Sequence, residues 1–318
     1  MSGTPPSESP STFADGVRLA IGTLSVFPVR PGVVDRRAAG IAMTAAPFVG
    51  ALLGVVAGAV LAVALRLGVT PLPASVLAVA TLALLTRGLH LDGLADLADG
   101  LGSGRPAGPA LDIMKKSDIG PFGVVTLVLT LLVQVATLAE VTAAGMGPAA
   151  VVVACATGRL ALTWACRAGV PSARPGGLGS MVAGTVRRGP ALAVTAFVLA
   201  GAIAWALLHS TGVLAPWLAG SPSPFPSPGE YRISAGIGDL DAFETAGSFP
   251  TDGLLLRWNE TATAFWGLPA AVLAGLTAAW ALRRRAVRRL GGITGDVLGA
   301  LVEVATATAL VVCAMAVG

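Results

Sequence analysis

The sequence predicts an all-α fold: a polytopic integral membrane helical bundle of about seven transmembrane helices, preceded by an interfacial or re-entrant segment. Three observations carry this prediction. Hydrophobic residues make up 54% of the chain and charged residues 12%, where a soluble domain averages about a quarter charged. Apolar runs of roughly 20 residues, enough to cross the hydrocarbon core, recur along the chain. These runs are rich in Ala, Val, Leu and in the 41 glycines, small residues that let membrane helices approach closely. A soluble core could bury one such run but not a series of them.

The first twelve residues are polar and rich in Pro and Ser, with no basic residue. They do not read as a signal peptide and are expected to form a disordered tail. Residues 13–318 then read as a single transmembrane domain. Phe13 to Val29 is apolar but carries Arg18 and ends in Phe27-Pro28, too short to span. Candidate spans follow at about 39–65, 72–89, 121–141, 149–168, 190–212, 262–282 and 297–317. The second is the weakest, because Pro71 and Pro73 trim its start and charged residues follow it. Residues 213–261 break the rhythm with Ser, Pro, Gly and six acidic residues, and are expected to form an extracytoplasmic loop. Cys155, Cys166 and Cys313 lie in apolar runs with no C-x-x-C pair, as buried thiols do.

Basic residues fix the expected orientation. With the N-terminus in the cytoplasm and seven spans threaded, 17 of the 21 basic residues lie inside, including Arg283, Arg284, Arg285, Arg288 and Arg289. Arg66, Arg232 and Arg257 face outside, and Arg159 falls within a span. The reverse threading inverts the ratio.

The chemistry-bearing residues gather in a few segments. In the stretch from Thr86 through Arg87, His90, Asp92, Asp96 and Asp99 to Gly100, the acids are spaced i, i+4, i+7, which places three carboxylates on one helix face. Like charges so grouped need a cation, and Mg²⁺ bound by oxygen ligands suits them. The intervening residues are Leu, Ala and Gly, not those of a solvated face. Met114 to Gly123 follows, with Lys115 and Lys116 before two glycines; these lysines suit a phosphate, or flank a span on its cytoplasmic side. Arg159 lies deep in the fourth span, and ionisable residues there are functional candidates. Glu303 stands seven residues after Asp296 on the same face of the last span, at a depth where it could pair with Arg159. Arg174 sits among glycines in Ala173 to Gly179, suited to gripping a phosphate or an amide-rich ligand. There is no Ser-His-Asp arrangement, P-loop or dinucleotide fingerprint.

Together these segments resemble the cobalamin synthase family. The pieces that carry the resemblance are Arg87 to Gly100, Met114 to Gly123, Ala173 to Gly179, and Gly291 to Ala300 with Glu303. They occur in the family's order over most of the chain. Lys116 stands where the family often has an acid, with Asp118 following.

The resemblance implies a bacterial inner-membrane transferase that joins adenosylcobinamide-GDP to α-ribazole or its 5′-phosphate and releases GMP, late in vitamin B12 assembly. Its partners would be those substrates and the lipid bilayer, with no nucleic acid. A homo-oligomer, or contact with other corrinoid-assembly enzymes, is also implied. Asp92, Asp96 and Asp99 would hold Mg²⁺ at the cytoplasmic face, with Asp296 and Glu303 completing the catalytic set. Arg87, His90, Lys115, Arg159 and Arg174 would bind substrate. Two other readings are weighed against it. Asp96-x-x-Asp99-Gly100 echoes the CDP-alcohol phosphatidyltransferases, but their following Ala-Arg and later aspartates are absent. A transporter would place its polar residues at the midplane, with inverted repeats.

Overall fold

The computed structural model describes residues 10–30, 32–210 and 251–317. Eleven helices account for its regular structure: α1 (Phe13–Leu24), α2 (Arg36–Arg66), α3 (Pro71–Leu85), α4 (Leu89–Gly102), α5 (Ala107–Ile113) and α6 (Pro121–Ala143) come first. They are followed by α7 (Gly147–Ala165), α8 (Leu178–Val182), α9 (Arg188–Ser210), α10 (Thr251–Leu290) and α11 (Gly295–Val317). Among the described residues there are isolated β-bridges but no strand. The chain is an all-α polytopic membrane protein.

Helix α1 is set by a capping box. The Thr12 hydroxyl accepts from the Asp15 amide at 3.3 Å, and the Asp15 carboxylate accepts from the Thr12 amide at 2.8 Å, satisfying two amides that helix geometry leaves orphaned. At 12 residues it reaches about 18 Å, well short of a span. Ser11 is buried and donates to Asp35 at 2.7 Å, while Asp35 caps α2 through the Ala38 amide at 2.7 Å. Order thus begins inside the segment expected to be a tail; residues 1–9 lie outside the described residues.

Helix α2 runs 31 residues and packs antiparallel on α7. Gly50, Gly54 and Gly58 recur every fourth residue and face it. A Cβ on Gly50 would meet the Cys155 carbonyl oxygen at 2.4 Å, and one on Gly54 the Val152 Cα at 2.6 Å. In lipid no hydrophobic effect pushes helices together, so this close backbone approach, with its dispersion contacts, is what joins the pair.

Among the described residues five helices, α2, α6, α7, α9 and α11, are long and apolar enough to cross a membrane, or six if α3 and α4 count as one broken span. The second expected span is the one the structure breaks. Helix α3 is 15 residues long and the chain turns by 87° into α4, because Arg87 (φ 56°) and Gly88 (φ 67°) adopt left-handed backbone. Arg87 is the one non-glycine residue there among the described residues. The span expected at 262–282 lies within α10, and five arginines from Arg283 to Arg289 follow it. Helix α10 begins at Thr251, inside the segment expected as a loop; residues 213–250 lie outside the described residues.

Helices α7 and α11 hold the centre of the bundle. Leu160, Ala161 and Cys155 on α7 and Ala300, Leu301, Val302 and Ala305 on α11 are almost wholly buried. Cys313 is also buried, and all three cysteines are free thiols. The loop after α7 is stitched to the start of α11: Ile293 donates to the Pro171 carbonyl at 2.9 Å and Ala173 to the Ile293 carbonyl at 3.0 Å.

Candidate functional site

That stitching, with the break before α4, brings the separate motifs together at one end of the bundle. Gly93 lies against the Asp296 backbone, where a Cβ would come within 2.9 Å of Asp296 Cα. Helices α4 and α11 therefore start side by side. A cavity of about 320 Å³ opens between them and the 172–179 loop, lined among others by His90, Asp92, Ser172, Arg174, Thr294 and Asp296.

Asp92 is exposed and Asp96 half-buried. Asp96 lies in the field of Asp92, Asp296 and Asp99, in that order of strength. Asp296 accepts from the Thr294 hydroxyl at 3.2 Å and lies in the field of the Arg174 guanidinium. Arg174 donates through Nη2 to the Leu111 carbonyl, while its Nε is buried without a partner. The cavity thus has two carboxylates on one side and a guanidinium with a free donor on the other.

Asp99 stands apart. It is buried, and its two oxygens accept from the Gly120 amide at 2.7 Å and the Gly123 amide at 2.9 Å. It caps the N-terminus of α6, where a negative charge is favoured. Both glycines are needed for it: a Cβ at either would fall within 2.5 Å of the Asp99 carboxylate. Among the described residues no three His, Cys, Asp or Glu side chains form a metal cage.

Arg159 is buried and Glu303 half-buried, neither lines this cavity, and no salt bridge joins the two. Arg159 Nη2 lies 3.4 Å from His90 Nδ1, and Glu303 accepts from the Gln134 amide at 2.8 Å. Arg159, Glu303, Gln134 and Thr306 border a small cavity of about 20 Å³, room for one water. Arg87 is exposed and donates to the Gly22 carbonyl at 3.4 Å. Lys115 is exposed in the turn before α6, outside the cavity lining. Sequence reasoning missed Gln134, although a lone amide in an apolar span is itself a signal. It also missed Ser172 and Thr294, which carried no distinguishing spacing.

Comparison with known proteins bears on what this arrangement does. A family model described as cobalamin-5-phosphate synthase matches residues 16–223 and 233–314. The adenosylcobinamide-GDP ribazoletransferase of Frankia casuarinae is 41% identical over 311 residues, covering 94% of this chain and 94% of that protein. Proteins of the same name from Nocardioides sp. and Corynebacterium efficiens are 34% and 31% identical, each over more than nine-tenths of both chains. No solved structure matches.

Proposed function

The chain belongs to the cobalamin-5-phosphate synthase family, and from that premise we propose that it joins adenosylcobinamide-GDP to α-ribazole, or to its 5′-phosphate, with release of GMP. The observation that carries the assignment of the site is the single cavity in which three remote motif segments meet, lined by His90, Asp92, Arg174 and Asp296.

The 3′-hydroxyl oxygen of the ribazole attacks the phosphorus that bears the cobinamide aminopropanol. An O–P bond forms, the bridging P–O bond breaks, and its electron pair leaves on GMP. Such a transfer needs positioning and charge stabilisation more than a protein nucleophile. Arg174 and His90 bind phosphate oxygens in this reading. The hydroxyl proton passes to a carboxylate, for which Asp92 and Asp296 are the two in the cavity. Arg87 and Lys115, exposed at the same end of the bundle, are left for parts of the substrate that overhang the cavity.

Asp92 and Asp296, with Asp96 beside them, are hard oxygen donors that fit Mg²⁺, which commonly takes one or two carboxylates together with substrate phosphates. Bound there, the cation would supply charge neutralisation at the diphosphate. Asp99, both of whose oxygens accept backbone amides, is left out of that set. The site faces the cytoplasm in this reading, supported by the 17 basic residues that the N-in threading gathers on one side.

The test is GMP release by purified protein in liposomes, with adenosylcobinamide-GDP, α-ribazole phosphate and Mg²⁺, beside Asp92→Asn. Equal amounts of GMP and corrinoid product from the wild type, lost in the variant, support the assignment. Folded protein that releases no GMP with either ribazole form overturns it.

A further inference from the structure

The contact between Arg159 and His90 fixes which imidazole nitrogen carries the proton. A guanidinium has five N–H donors and no acceptor. Since Arg159 Nη2 lies 3.4 Å from His90 Nδ1, a hydrogen bond there requires Nδ1 to be the acceptor. A neutral imidazole that accepts at Nδ1 carries its hydrogen on Nε2. His90 Nε2 is buried and has no hydrogen-bond partner, the residue is 2% exposed, and it lines the cavity with Asp92, Arg174 and Asp296.

The contact is held by close packing at both residues. A Cβ on Gly299 of α11 would come within 3.2 Å of the His90 backbone, and one on Gly50 of α2 would meet Arg159 Cδ at 3.0 Å. Helix backbones therefore pack closely against the His90 backbone and the Arg159 side chain. Behind Arg159 lies Glu303, itself held by Gln134. Buried N–H groups in folded proteins are nearly always satisfied, so a donor without an acceptor at a cavity wall marks the place of a ligand atom. The partnerless Arg174 Nε is a second such donor on the same cavity.

We infer that His90 donates its Nε2–H to a phosphoryl oxygen of the substrate, and that Arg159 is a positioning residue which selects this tautomer and does not itself bind phosphate. The inference rests on the proposed phosphotransfer reading for the identity of the ligand. The tautomer stands on geometry alone.

Only two histidines are present, so the full-length protein carrying His209→Gln and ¹⁵N-imidazole histidine gives the spectrum of His90 by itself. In nanodiscs at pH 7.5 the expected spectrum is the neutral Nε2–H tautomer, with the Nε2 signal shifting when GDP and Mg²⁺ are added. Arg159→Met should give a mixture of tautomers. His90→Leu should lower kcat by roughly 100-fold, as loss of one pre-placed donor does, and His90→Gln, which keeps a terminal N–H, should recover most of it. An Nδ1–H tautomer or an imidazolium in the wild-type ring overturns the inference, as does an unchanged kcat in folded His90→Leu. Absence of GMP release by wild-type protein would instead overturn the function reading and leave the tautomer result standing.

Discussion

The carboxylate of Asp99 closes on the backbone amide of Gly120 at 2.7 Å and, through its second oxygen, on that of Gly123 at 2.9 Å. This one side chain ties the acidic helix α4 to the start of α6, and through α6 to Gln134 and Glu303. Charge-assisted bonds of this kind contribute about 1.5–3 kcal/mol each. Asp99→Asn should therefore lower the melting temperature in detergent while leaving the Mg²⁺ concentration for half-maximal GMP release near the wild-type value. Gly123→Ala should lower it too, since its Cβ would sit 2.5 Å from the carboxylate. A large rise in the Mg²⁺ requirement of Asp99→Asn would return that residue to the metal set.

Asp92→Asn and Asp296→Asn should behave in the opposite way. Both side chains line the cavity, so loss of either should leave the melting temperature within a few degrees and raise the Mg²⁺ requirement roughly 10–100-fold. Chelation of divalent cations should abolish GMP release by the wild type, with recovery on adding Mg²⁺. Titration of the rate against Mg²⁺ for each variant checks both statements.

The glycine seam between α2 and α7 predicts a packing defect. Gly54→Leu places atoms where the Val152 backbone stands, 2.6 Å from an added Cβ, and overpacking of this sort costs about 1–3 kcal/mol or more. Gly108→Ala, whose Cβ would meet nothing within 4 Å, is the control and should be neutral. Size-exclusion chromatography and thermal melting in detergent distinguish the two.

The N-terminal anchor should be acid-labile. Hydrogen bonds from Thr12, first its side chain and then its amide, hold the Asp15 carboxyl below its ordinary value, and bonds from the Ala38 amide and Ser11 do the same for Asp35. A depressed carboxylate contributes stability that is present above its unfolded pKa, about 3.9, and is lost as the pH falls through the folded value. Hydrogen exchange at residues 11–16 should accelerate below about pH 4, and Asp35→Ala should remove much of that pH dependence. Exchange at the α2–α7 seam should not respond.

Threading is checked by reporter fusions. A fusion at Gly145, in the turn between α6 and α7, should report from outside the cytoplasm, and one at Lys116 from inside.

Several parts of this molecule were legible in the sequence because they depend on local pattern. The apolar runs declared the helices; the capping box of Thr12 and Asp15 was not read, because residues 1–12 were expected to be a tail. The pairing of Asp92 with Asp296 was accessible only as two acid-bearing segments, not as a contact. The spacing of Asp92, Asp96 and Asp99 did put them on one face of α4, but seven residues of helix span about 10 Å. The two ends of that face meet different neighbours: Asp92 meets the start of α11, and Asp99 meets the start of α6. Periodicity states which way a side chain points and is silent about what waits there. The break after α3 was equally hidden, since it depends on a left-handed arginine that no propensity favours.

The shortness of α3 has a consequence for the surrounding lipid. Its 15 residues reach about 22 Å against a hydrocarbon thickness of about 30 Å, whereas α2 runs twice as far. A short span is met by local thinning of the bilayer, which would draw the interface toward the acidic helix that follows. The candidate pocket would then lie at the floor of a thinned patch that water and headgroups can enter. Membrane thickness thereby becomes a variable of the catalyst: short-chain lipids should favour turnover, and long-chain lipids should close the dip over the carboxylates.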